Sequence, residues 1–156
     1  MNMSCRLIVS MDDQTLTILQ GDRALREFAV STAIKGMGFE EGSYRTPTGR
    51  FRIYEKIGEG QPVGTIFKSR LPVGLWQPGD VTEEDMILTR ILRIEGLDEA
   101  NANTLKRYIY FHGTNREDQI GVPASHGCIR LSNQDMLELF DMVAVGDPVE
   151  ILGTTR

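Results

Sequence analysis

Residues 112–133 read HGTNREDQIGVPASHGCIRLSN and hold both histidines of the chain and one of its two cysteines. Thiol, imidazole and a glycine-bearing turn are the parts of a cysteine acyl-transfer site. A thiol is a weak nucleophile until its proton leaves, and a nearby imidazole can take that proton and return it to a leaving group. Cys128 is the candidate nucleophile. Gly127 precedes it, where the chain must turn sharply and present N–H groups. The N–H groups of Gly127 and Cys128 are therefore candidate oxyanion donors. From the residues alone, His112 and His126 qualify equally as the base.

The same stretch joins two elements of different period. Upstream, residues 107–111 (RYIYF) form a strand pattern that delivers His112 at its end, and a rigid strand end fixes a base well. Downstream, Met136, Leu139, Phe140 and Val143 recur at helical spacing. Ser132 with Asp135 supplies an N-cap pairing, and Gly146 lies just past the end. Pro148–Leu152 closes the chain as a strand.

Towards the N-terminus, residues 5–10 and Thr15–Gln20 read as a hairpin around Asp12-Asp13, followed by a third strand over residues 24–31. Cys5 is expected to pack as a small apolar residue in the first strand. Residues 35–49 (KGMGFEEGSYRTPTG) form a glycine-rich loop that lacks P-loop spacing and its Lys-Ser/Thr ending, which excludes a nucleotide site. A strand is expected at residues 51–54. Residues 58–80, rich in glycine and proline, are expected to be irregular, with a short strand at 65–69. They carry Trp76, which reads as an anchor for a long loop or as a wall of a site. Thr82 and Asp85 could cap a helix, but residues 86–97 lack a helical stripe and read as a strand. Residues 98–104 are a polar loop.

With 156 residues, 40% hydrophobic and 25% charged, the chain suits one soluble domain with a real core. Its net charge of −5 argues against nucleic acid or an anionic membrane as partner. No stretch approaches the roughly 18 apolar residues of a membrane helix. The N-terminal MNMSCRLIVSMDDQTLTIL lacks the pattern of a secretory signal, so a cytoplasmic protein is expected. The alternative is a periplasmic or wall protein whose export signal lies outside this sequence. Two cysteines do not make a disulfide framework, and pairing them would consume the nucleophile.

His112-Gly113-Thr114, Ser125-His126-Gly127-Cys128-Ile129-Arg130-Leu131 and Asn133 closely resemble the signature of the L,D-transpeptidase catalytic domain, the YkuD-like family. Thr46-Pro47-Thr48-Gly49 resembles that family's entry to a strand beside the active site. The resemblance runs in order over about residues 5–152 of a single domain spanning 1–156. It implies a mainly β fold, sandwich- or barrel-like, with one clear helix after the catalytic cysteine.

The resemblance also assigns roles. His112 becomes the general base, oriented by the carbonyl of Gly113. His126 shapes the turn and the oxyanion hole and borders the substrate. Arg130 is expected to clamp a substrate carboxylate bidentately. Ser125 and Asn133 are expected to hydrogen-bond the turn as scaffold. The implied substrate is a murein tetrapeptide or muropeptide, cut between diaminopimelate and the terminal D-alanine through a cysteine thioester. In the cytoplasm this would be an L,D-carboxypeptidase of murein recycling. The alternative is a transpeptidase that forms crosslinks or exchanges D-amino acids. Carbapenem-type β-lactams are implied as covalent inhibitors. No cofactor, metal, nucleic acid or membrane is expected, and a monomer is the default. Two other classes fit these residues less well. His112, His126 and Cys128 could supply three zinc ligands, but no second Cys/His spacing supports a metal. A non-catalytic wall-peptide-binding module would not require the thiol, imidazole and glycine turn.

Overall fold

The computed structural model describes residues 5–80 and 82–154. Residues 1–4, which belong to the N-terminal stretch judged for an export signal, lie outside the described residues. In chain order the strands are β1 (Arg6–Ser10), β2 (Thr15–Gln20), β3 (Arg23–Ala29), β4 (Gly49–Ile57), β5 (Thr65–Lys68), β6 (Leu71–Leu75), β7 (Ile87–Gly96), β8 (Tyr110–Thr114), β9 (Ile129–Leu131) and β10 (Pro148–Leu152). A single helix, α1 (Asn133–Met142), follows β9, and a 3₁₀ turn spans Glu117–Gln119. The protein is mainly β with one α-helix among the described residues.

β1, β2 and β3 form an antiparallel meander. β10 pairs parallel to the free side of β1, then β4 and β7 continue the sheet antiparallel. At β7 the sheet branches. Ile87 and Leu88 pair with β5 of the β5–β6 hairpin, while β8 pairs along β7 from Ile87 to Arg93. β9 lies parallel to β8. Past β3, Ser31 exchanges backbone hydrogen bonds with Arg130 of β9 in both directions, each 2.9 Å. The meander is thereby stitched back to β9, and the strands close a barrel-like ring from which β5–β6 projects.

Alternation of side chains fills the ring. Leu7, Val9, Leu16 and Ile18 alternate with outward residues on β1 and β2, and Phe51, Ile53, Phe111, Ile129 and Ile151 join them, all essentially buried. α1 seats Met136, Leu139 and Phe140 on this core. Each such side chain contributes about 1.5–3 kcal/mol on transfer from water. Ser132 is the N-cap, its hydroxyl accepting the Asp135 N–H, and it is the one residue between the end of β9 and the start of the helix. Cys5 sits in the core just ahead of β1, and both cysteines are free thiols.

Three local readings are corrected. β8 begins at Tyr110 rather than 107, because the chain turns through Tyr108, whose φ is +56°. Residues 71–75, expected to be irregular, form β6, joined to β5 by Ser69 and Arg70, both at positive φ. Thr82 caps no helix; its hydroxyl accepts the Glu84 N–H in a bend ahead of β7.

Candidate active site

The parallel pairing of β8 with β9 brings the sequence-predicted residues together. Phe111 faces Ile129 and His112 faces Arg130 in register. Phe111 and Ile129 point into the main core. Their neighbours Tyr110, His112, Cys128 and Arg130 therefore share the opposite face, where Cys128 packs with Phe67, Ile91 and Tyr110. The imidazole and thiol are thus on one face of adjacent strands, offset by two residues.

His112 is buried, and its Nδ1 lies 2.6 Å from the carbonyl oxygen of Gly113. A carbonyl only accepts, so Nδ1 carries the proton and Nε2 keeps a free lone pair. Gly113 is glycine because its neighbours leave no room. A Cβ there would stand 2.4 Å from Asn133 Oδ1 and 2.8 Å from the Leu88 carbonyl oxygen.

The nucleophile turn is braced at every peptide. Ser125 Oγ donates to the Cys128 carbonyl at 2.7 Å and accepts the Gly127 N–H at 3.2 Å. Thr46 donates to the Gly127 carbonyl at 2.8 Å while accepting the Ala33 N–H. Gly127 has φ +133°, a conformation that side chains rarely adopt. Because Ser125 holds the Gly127 N–H, the Cys128 N–H is the donor of this pair left for an oxyanion. A second donor had no sequence signal: the Tyr110 N–H points at Cys128 Sγ, 3.3 Å away.

Charge sets the resting state. Burial pushes the Cys128 thiol up to about 11; the Tyr110 N–H, Arg130 and Arg107 oppose this, and Asp85 adds to it. Burial also depresses His112 below its usual value, and Arg130 adds to this, whereas the Gly113 carbonyl and Asp85 raise it. At neutral pH the pair is a neutral thiol and a neutral imidazole, not a preformed ion pair.

Arg130, expected to clamp a substrate carboxylate, is held inside the protein. Its side chain is 1% exposed. Its terminal nitrogens donate to Asp85 (3.0 Å), Ser31 Oγ (3.1 Å) and Gln119 Oε1 (2.7 Å). Both terminal nitrogens are thus engaged within the protein, while Nε is buried without a partner among the described residues. Asp85, Gln119 and Ser31 carry no motif, and only the topology assembles them. His126 is exposed, its ring 5.5 Å from that of Tyr44 at 62°. Asn133 donates from Nδ2 to the Thr114 carbonyl at 2.9 Å. Trp76, half-buried, is tied by its backbone N–H to the Gly64 carbonyl beside the hairpin, and its indole Nε1 is buried without a partner among the described residues. A cavity of about 250 Å³ next to the site is lined by Phe67, Lys68, Asp85, Met86 and Ile87, among others.

The family profile described as the YkuD L,D-transpeptidase catalytic domain matches residues 5–151. The Bacillus licheniformis protein named L,D-transpeptidase YkuD is 46% identical over 147 residues, covering 94% of this chain and 64% of that protein. The Salmonella typhimurium protein named L,D-transpeptidase ErfK/SrfK is 31% identical over 121 residues, 58% of this chain and 39% of that one. Among solved structures, an L,D-transpeptidase from Mycobacterium smegmatis superposes with TM-score 0.61 at 22% identity, covering 96% of this chain and 58% of that one. LdtMt1 in complex with imipenem gives TM-score 0.59 at 23% identity, with 96% and 59% covered. The chain thus spans less than two thirds of the length of these relatives. The profile match over nearly the whole length, on a fold these structures share, makes this chain a member of the L,D-transpeptidase (YkuD) catalytic-domain family.

Proposed function

We propose that this chain is a cysteine acyl-transfer enzyme of peptidoglycan stem peptides, cutting between the L-centre of diaminopimelate and the terminal D-alanine. The observation that carries the reading is the His112 Nδ1–Gly113 contact of 2.6 Å, which leaves Nε2 basic on the face that holds Cys128. His112 Nε2 takes the thiol proton as Sγ attacks the carbonyl carbon. The Tyr110 N–H stabilises the negative charge that builds on sulfur as the proton leaves, and the Cys128 N–H takes the developing oxyanion. The C–N bond then breaks as protonated His112 returns its proton to the amine of D-alanine, leaving a thioester on Cys128. The neutral resting pair suits this course, because the proton moves only as the S–C bond forms.

Water as the second acceptor gives the tripeptide and makes the enzyme an L,D-carboxypeptidase of soluble muropeptides in the cytoplasm. A second reading, amine transfer, is favoured by the relatives, which are named as transpeptidases. The L,D-transpeptidase structures in complex with imipenem and with a faropenem-derived adduct support a β-lactam as ligand here too, and the avibactam carbamoyl enzyme of another supports covalent capture by a non-β-lactam inhibitor.

The test is mass spectrometry of the protein with a soluble murein tetrapeptide, with and without excess acceptor amine. Loss of one D-alanine with no adduct supports the carboxypeptidase. A crosslinked or exchanged product replaces it with the transpeptidase. Unchanged turnover in Cys128→Ala would overturn both.

A further inference from the structure

Thr89 lies inside β7, fully buried, with φ +76°. For a β-branched residue this is a true backbone outlier, and such outliers persist only where the surroundings hold them. It coincides with the break in the β7–β8 register: Leu88 pairs with Gly113 and Ile91 with His112, so Thr89 and Arg90 bulge opposite the peptide joining His112 to Gly113. The Thr89 hydroxyl is used twice. It donates to Asn133 Oδ1 at 2.6 Å and accepts the Gly64 N–H at 3.0 Å. Asn133 in turn donates to the Thr114 carbonyl, and its Oδ1 is the atom nearest the space above Gly113. The next nearest are the Leu88 carbonyl oxygen and Thr89 Cβ.

We propose that Thr89 is a positioning residue whose hydroxyl fixes Asn133, and through it the Gly113 carbonyl that orients His112; this rests on the reading of His112 as the base. Glycine would adopt the backbone conformation more easily, and valine would fill the same shape. Neither can donate to Asn133 and accept from Gly64 at once, which a hydroxyl does. Without it the Asn133 amide loses its fixed orientation, the Gly113–Thr114 segment loosens, and the Nδ1–carbonyl hydrogen bond lengthens. Since that hydrogen bond raises the His112 pKa, weakening it lowers the pKa further while misaligning Nε2.

Thr89→Val and Thr89→Gly separate hydroxyl from strain, since valine keeps the strained, branched residue and glycine relieves it, while both lose the hydroxyl. Turnover of murein tetrapeptide is measured per protein molecule acylated by imipenem, with acylation rate as a readout independent of the peptide. The expected result is a fall of roughly 10- to 100-fold in kcat and in acylation rate for both variants, as for a small misplacement of a catalytic group. KM should stay within about twofold and the acid limb of the pH–rate profile should move to lower pH, with Thr89→Ser restoring the rate to within about threefold. Normal rates per acylated molecule in either variant, or failure of both to give any acylatable protein, would overturn the proposal by leaving Thr89 a structural residue. His112→Ala is the control. If it reacts normally, the reading of the base is wrong; if it is inert while Thr89→Val and Thr89→Gly are normal, only the role of Thr89 falls.

Discussion

At the scale of single residues, the site is a nucleophile and base that are both uncharged at rest, and its pH behaviour follows from that. His112 must be neutral to accept the thiol proton, and burial lowers its pKa from the ordinary 6.5. The acid limb of kcat/KM should therefore fall below pH 6.5; a limb above that value would contradict a buried base. With the thiol at about 11, alkylation of Cys128 by iodoacetamide should keep rising beyond pH 9, where an ordinary thiol levels off. Asp85 raises both groups, so Asp85→Asn should shift both profiles to lower pH. Shifts of both profiles to higher pH would show that Asp85 acts by holding Arg130, which lowers both groups, rather than by its own charge. Its removal also leaves the buried Arg130 without its carboxylate, which costs up to about 3 kcal/mol, since Asp85 itself is partly exposed. Denaturant titration of the same variant measures that loss.

At the scale of elements, the sharpest constraint is where β8 meets α1. Gly113→Ala would drive a methyl group to within 2.4 Å of Asn133 Oδ1 and 2.8 Å of a backbone oxygen. It should abolish turnover and lower the melting temperature, whereas Ser132→Ala, which removes only the N-cap, should cost about 1 kcal/mol. How far these elements were legible depends on what local sequence encodes. β2, β10 and the α1 cap were readable because alternation, helical spacing and Ser132-Asp135 are local signals. β6 was not: it is exposed along its whole length, so no buried face marks it, Pro72 and Gly74 argue locally against a strand, and its Ser69-Arg70 turn uses positive φ without the usual Asn-Gly. The start of β8 was placed too early because RYIYF looks like strand throughout, and nothing local signals the turn at Tyr108. At the site, Cys128, His112 and the glycines were legible as a motif. The Tyr110 N–H, Thr89 and the Asp85–Arg130 pair were not, since each becomes meaningful only when β7, β8 and β9 lie side by side.

At the scale of the whole molecule, the ring of strands holds titratable groups in forms they would not keep in an unfolded chain, so stability must depend on pH. His112 has a folded pKa below its unfolded value near 6.5. Between the two the unfolded chain binds more protons, so its contribution is complete above 6.5 and is lost as pH falls through the folded value. Cys128 works in the other direction. Its folded pKa of about 11 exceeds the ordinary 9.0, so its contribution is complete below 9.0 and is lost as pH rises towards 11. Cys5, raised by burial and by Asp147, acts with the same sign as Cys128. The melting temperature should therefore form a plateau between about pH 6.5 and 9, with an acid arm and an alkaline arm. His112→Gln, which cannot be protonated, should flatten the acid arm. Cys128→Ala should flatten only part of the alkaline arm, because Cys5 remains. If His112→Gln and the parent lose stability in parallel below pH 6.5, protonation of His112 is not what destabilises the fold, and the imidazole is more solvated than its place beside Arg130 implies.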